Sequence, residues 1–277
     1  MVEKNNTDAR QLHYEEITPK SINGMGMLIL NIILMIGGIF SIIRGIIMLE
    51  NGPGIAPGLT LLIGGALYTF LIGPIMFAGL KILKPNEALV LTLFGKYYGT
   101  LKGEGFFFVN PFVSAINPAV QSSFSAATEN VSIPGKHGQP ATNIPLPKSK
   151  KISLKAMTLN NDKQKINDLL GNPIIIGIVV IWRVVNTAKA VFNVDNYVEY
   201  LSIQCDSALR NIVRLYPYDI SSDDNEKSLR GSSQEIADKL KEEIQSKVEI
   251  AGLEIVEARI THLAYAPEIA AAMLQRQ

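Results

Sequence analysis

The chain has 277 residues, 47% of them apolar and 18% charged, with a formal net charge of +1. That length is too great for one small domain, and the even balance of signs leaves no field that would draw nucleic acid. The lone cysteine, Cys205, excludes an internal disulfide and fits a reducing compartment. These averages hide a split. Residues 24–43 and 51–80 carry no formal charge, whereas the chain after Leu80 holds 22 basic and 20 acidic residues, as an ordinary globular protein does.

Residues 1–24 read as a polar tail, and 25–80 as a hairpin of two membrane spans. A span needs about 20 apolar residues to cross roughly 30 Å of hydrocarbon. Gly24–Ile43 and Leu59–Leu80 both meet this. No small-x-small cleavage site follows the first run, so it reads as an anchor and not a removable signal. The turn-rich link Glu50-Asn51-Gly52-Pro53-Gly54 is short enough to force antiparallel neighbours. Small residues recur one helical turn apart, as Gly37, Ser41 and Gly45 in the first span and Gly65, Thr69 and Gly73 in the second. That spacing lets two backbones approach in lipid, and these six are the candidate helix-packing residues. Arg44 lies near the outer end of its span, where it can snorkel. Pro74 is expected to kink the second span. Arg10 and Lys20 precede the spans and Lys81, Lys84, Lys96 and Lys102 follow them, while the link has no cation. Both ends are therefore expected in the cytoplasm of a multi-pass protein of the cell membrane. A shallow hairpin confined to one leaflet is the alternative.

Lys84-Pro-Asn-Glu87 closes the apolar segment. Ala88–Phe94 reads as a strand continued by Gly95–Tyr98 through a bend, and Phe106–Val109 as a second strand. Residues 121–150 are rich in Ser, Thr, Asn, Gly and Pro and read as a loop insertion. The three lysines near its end, at 148, 150 and 151, read as a solvated face, with contact to anionic lipid head groups the weaker alternative because such clusters normally carry more charge. Lys151–Leu159 alternates as a strand does. Pro173–Val185 is too short for a span and is broken by Arg183. Nine of its positions are Ile or Val, which predicts a buried central strand.

An amphipathic helix follows over about Tyr197–Tyr216, with Cys205 on its apolar face. Ser232-Ser-Gln-Glu235 predicts a capping box opening a second helix, with Ile236, Leu240, Ile244 and Val248 as its stripe. Leu253–His262 reads as a strand, and residues 266–277 as the start of a C-terminal helix. The predicted fold class is α+β, with helices packed on one face of a sheet.

These residues resemble the SPFH family of stomatins, prohibitins and flotillins. The resemblance rests on Lys84-Pro-Asn-Glu87, Phe94-Gly-Lys-Tyr97, Gly105-Phe-Phe-Phe-Val-Asn-Pro-Phe112, Ile181-Trp-Arg-Val-Val185, Val191-Phe-Asn-Val-Asp-Asn-Tyr197, Ala208-Leu-Arg-Asn-Ile-Val213 and Gly252-Leu-Glu-Ile-Val-Glu-Ala-Arg-Ile260, in that order. It implies a curved sheet with packed helices over 81–265, beside a membrane anchor. It further implies homo-oligomers, or hetero-oligomers with related SPFH subunits, that organise membrane microdomains, and in some relatives restraint of a membrane protease. No catalytic residues are implied. Two long spans, the proline content of 121–150 and the end at Gln277 depart from the family pattern. Family members usually continue as a long coiled coil, so a longer natural chain is expected.

Chemistry is sparse. His13, His137 and His262 lack metal-ligand spacing, and no phosphate or dinucleotide fingerprint is present. No metal, cofactor or catalytic site is expected. The readings carried forward are an oligomeric membrane scaffold contacting lipids and other membrane proteins, a regulator of a membrane protease, and a membrane-associated hydrolase with His262 as its one plausible base.

Overall fold

A computed structural model describes residues 15–52, 55–119, 149–161, 163–219 and 227–274. The expected insertion at 121–150 lies outside them except for its last two residues, as do His13, His137 and the last three residues. The chain folds as two compact units. One runs from Ile17 to Ile116. The other comprises Asn117 onward together with the N-terminal residues through Glu16.

In the first unit, β1 (Ile22–Asn23) runs without a linker into α1 (Gly24–Asn51). Asn23 caps α1, its side chain accepting from the Met25 N–H at 3.0 Å. The return limb is α2 (Ile55–Leu67), a π-helical turn at Tyr68–Ile72, and α3 (Gly73–Ala78). After Gly79 the chain enters β2 (Leu80–Leu83). Next come β3 (Glu87–Leu93), β4 (Lys96–Lys102), β5 (Gly105–Phe108) and the short β6 (Ser114–Ala115), which pairs with β3.

β5 lies between β1 and β2, antiparallel to both, with Phe108 opposite Ile22 on one side and Leu80 on the other. Both feet of the helical hairpin therefore stand in one sheet, one on each side of β5. The segment just before β1 is tied down as well, since the Thr100 N–H donates to the Ile17 carbonyl at 2.8 Å. Leu83, Leu89, Leu91, Leu101, Val109 and Val113 form the core of this unit's strands.

The stretch predicted as one bent strand is a β-hairpin, β3 and β4 joined by Phe94-Gly95. Both turn residues have positive φ, +48° and +82°. That is the geometry whose twist matches paired strands, and Gly95 supplies half of it without strain.

In the second unit, after β7 (Ile152–Ser153), β8 (Met157–Asn160) and β9 (Gln164–Asn167) pair with successive halves of β10 (Pro173–Val184). β11 (Leu253–Tyr265) pairs along the other side of β10. The central-strand reading of 173–185 holds. Ile174, Ile176, Ile178, Val180, Trp182 and Val184 are buried, while the odd-numbered residues other than Gly177 form a partly exposed face. The sequence reading missed β9 and the six-residue α4 (Thr187–Phe192), each too short to show a period. α4 is capped by Asn186 from within, and Glu16 accepts from the Thr187 N–H at 2.6 Å and its hydroxyl at 2.7 Å.

α5 (Tyr197–Val213) and α6 (Ser233–Val248) pack on each other, and α6 packs on β11. Leu201, Cys205, Leu209, Ile236, Leu240 and Ile244 fill that layer. The capping box expected at Ser232 is not made, because its side chain bonds no backbone amide. Glu235 instead pairs with Lys227 and, at 3.6 Å, with Lys239, which hold its carboxyl below the usual range. The last described element is α7 (Pro267–Leu274).

Candidate functional site

The residue pattern singles out the seam of the helical hairpin, and the structure gives that seam two different chemistries along its length. Near the tip it is made of glycine. A Cβ added at Gly65 would fall 2.6 Å from the Gly38 carbonyl oxygen, and one added at Gly45 would fall 2.8 Å from that of Gly58. Backbone meets backbone there, which only residues without a side chain permit. Thr69 presses its Oγ1 against Gly38. That hydroxyl is buried and has no hydrogen-bond partner among the described residues. Ser41 lies beside this row, its hydroxyl donating to the Leu61 carbonyl at 2.9 Å.

Nearer the feet the seam turns polar. Asn31 is 2% exposed. Its Nδ2 donates to the Gly73 carbonyl at 3.1 Å, and its Oδ1 accepts from the Tyr68 hydroxyl at 3.0 Å. A primary amide inside an apolar hairpin costs free energy unless paired, and here both ends of it are paired.

The π-turn sets the register between these two zones. From the Gly38–Gly65 crossing, seven residues toward the tip reach Gly45 on one limb and Gly58 on the other. Toward the feet, seven residues reach Asn31, but eight are needed to reach its partner Gly73. The wider turn at Tyr68–Ile72 absorbs the extra residue, and the Gly73 N–H closes it onto the Tyr68 carbonyl. Pro74 accounts for the widening, since it lacks an N–H and its ring displaces the carbonyl four residues back. The expected kink at Pro74 is thus a π-turn just before it.

Of the six predicted packing residues, the hairpin brings Ser41, Gly45, Gly65, Thr69 and Gly73 to the seam. Gly37 is not among them. It is exposed, with open space where a Cβ would go, and Gly38 takes the place expected for it. The four-residue ladder from Gly37 misjudged the period on α1. The buried residues there are Gly24, Asn31, Gly38 and Gly45, spaced by seven, the repeat of left-handed helix pairs. Asn31 and Tyr68 went unnoticed in the sequence, although Asn31 is the one amide inside the first apolar run.

The second unit is built for packing. The Cys205 thiol is buried and its pKa is pushed up to about 12, first by desolvation and then by the Asp206 charge beside it. Such a thiol is inert. Asp206 in turn accepts from Asn161 and Gln164. Asp168 is buried and accepts from the Asn172 amides and the Tyr218 N–H at 2.8–3.2 Å, closing the loop before β10. On the open face of β10, Arg183 pairs with Glu254 at 2.6 Å and holds that carboxyl below its usual range. His262 sits on β11 opposite Gly177 and hydrogen-bonds to no serine or acid among the described residues. Among the described residues no three His, Cys, Asp or Glu side chains converge as metal ligands.

Residues 81–277, more than two thirds of the chain, match the family model of the SPFH domain / Band 7 family. The chain belongs to that family. No curated protein matches it. The SPFH match begins one residue into β2, so the sheet that carries the feet of the hairpin is itself partly SPFH domain. The mixed α+β architecture with a preceding apolar helix pair agrees with that membership.

Proposed function

We propose that this SPFH protein is a non-catalytic, oligomeric membrane scaffold that groups lipids or membrane proteins beside its SPFH domain. The observation that carries this reading is the hairpin itself. Its limbs of 27 and 24 residues are apolar enough to cross a membrane, and only 6% and 17% of their apolar windows are buried within the chain. Their outward faces, with Ile33, Ile36, Phe40, Ile63 and Phe70 all exposed, match hydrocarbon. Because both feet stand in one sheet, the hairpin holds that sheet, the start of the SPFH domain, at the membrane surface without a flexible tether. The cations at Lys81 and Lys84 support a cytoplasmic side for that surface.

Family membership supports assembly with further SPFH subunits. The test is crosslinking in native membranes followed by mass spectrometry and sizing in mild detergent. The expected result is a ladder of SPFH subunits in a large assembly. A monomer crosslinked to nothing overturns the scaffold reading. A dominant protease crosslink replaces it with protease regulation. Peptide or ester hydrolysis that is abolished by His262→Ala replaces it with an enzyme.

A further inference from the structure

We infer that the outward face of α5 is a self-pairing surface that docks, antiparallel, on the same face of a second copy of this chain. This rests on the oligomeric reading above and names one interface within it.

The face is a single stripe. At 3.6 residues per turn, Glu199, Ile203, Arg210 and Arg214 fall within about 60° of one another around the axis of α5. All four are exposed, Ile203 by 57%. Leu201, Cys205, Ala208 and Ile212 form the buried side opposite. On one flank, next to α6, the Tyr200 hydroxyl donates to the Lys247 carbonyl at 3.0 Å. On the other, Asp206 accepts from Asn161 and Gln164. The stripe between them is left open among the described residues.

Charge is sorted along it. Asp195 and Glu199 line a depression at the start of the helix, and Arg210 and Arg214 line another, with Lys165, at its end. Neither these two acids nor these two arginines form an ion pair among the described residues. A stripe acidic at one end and basic at the other complements itself when one copy is reversed, as a two-fold axis requires.

The register closes by count. Setting Glu199 opposite Arg210 of the second copy also sets Asp195 opposite its Arg214, because both pairs are centred between residues 204 and 205. The two Ile203 side chains are then offset by only three residues, about 4.5 Å, along the axis. The result is an apolar contact on the two-fold axis, flanked on either side by opposite charges. Glu199 in the first turn and Arg210 in the last also suit the helix's own dipole. The dipole, however, does not ask that they share a stripe with an exposed isoleucine. A single helix face is a small interface, so the pairing is expected between chains concentrated in one membrane.

The test crosslinks an Ile203→Cys chain in native membranes with a short bifunctional maleimide. Buried Cys205 does not compete. The expected result is a dimer of the chain with itself, absent from a Val256→Cys chain, whose position on β11 is exposed but off the stripe. In the Ile203→Cys chain, Glu199→Arg or Arg210→Glu opposes like charges across the two-fold axis and lowers the dimer by about tenfold. The two together exchange the partners and restore it. A role in the helix dipole alone predicts the reverse, since the double variant sets both charges against that dipole. No dimer at 203, an equal dimer at 256, a crosslink to a different protein instead, or a double variant that stays unpaired overturns the inference. Sizing of the native chain in mild detergent separates the two levels. A large assembly beside any of those failures leaves the scaffold standing without this interface, and a monomer overturns both.

Discussion

In the hairpin the closest approach is backbone against backbone at Gly38–Gly65, and the large side chains point outward. In the unit from Asn117 onward, Ile174, Ile176, Ile178, Leu201, Leu209 and Leu240 are buried, and the charges point outward. The same physics gives opposite patterns because the surroundings differ. Where water is outside, burying large apolar groups drives folding. Where hydrocarbon is outside, a buried Leu gains little over a lipid-facing one, so close contact and satisfied polar groups decide. In one region large residues mark the core, and in the other small ones do.

Substitutions can break this contrast. The largest effect is expected in the unit from Asn117 onward, where Ile178→Ala should cost about 2–5 kcal/mol, read as a lower denaturant midpoint. In the hairpin a gain of volume is what hurts. Gly65→Val should cost about 1–3 kcal/mol by forcing the limbs apart, while Gly37→Val, on the outward face, should leave the melting temperature in detergent unchanged. Equal effects at the two glycines contradict the seven-residue seam.

Asn31→Leu strands the Gly73 carbonyl and the Tyr68 hydroxyl and should cost about 1–2 kcal/mol, with Tyr68→Phe recovering part of it in the double variant. Thr69→Val keeps the shape and removes a hydroxyl that has no partner among the described residues, so it should raise the melting temperature slightly. Smallest of all is Cys205. Its raised pKa keeps the thiol protonated in the folded chain, and alkylation near neutral pH should need unfolding. Because the folded pKa lies above the ordinary thiol value, Cys205 opposes folding only once pH rises past that ordinary value.

Much of the architecture was legible from residue pattern alone. The Ile and Val run at 173–185 and the stripe at Ile236, Leu240, Ile244 and Val248 each name their element, because burial against water imposes a period. The hairpin was visible as length without charge, but its seam was half read. Small residues are frequent in such runs, and a ladder of four cannot be told from a repeat of seven without knowing which glycine meets its partner. The π-turn was out of reach for a related reason. Pro74 announces a disturbance, but the choice between a kink and a widened turn depends on Asn31, on the other limb. The capping box failed in both halves: the Ser232 side chain caps no amide, and Glu235 pairs with lysines, one on its own helix and the other just before it.

The most direct measurement is thiol labelling of an Asn51→Cys chain in intact cells, set beside a Ser149→Cys chain. Native Cys205 is silent in both. A hairpin that crosses the membrane from the cytoplasmic side and returns predicts that an impermeant reagent labels the cysteine at 51 in intact cells and the one at 149 only after lysis. If the cysteine at 51 too is labelled only after lysis, the hairpin does not cross.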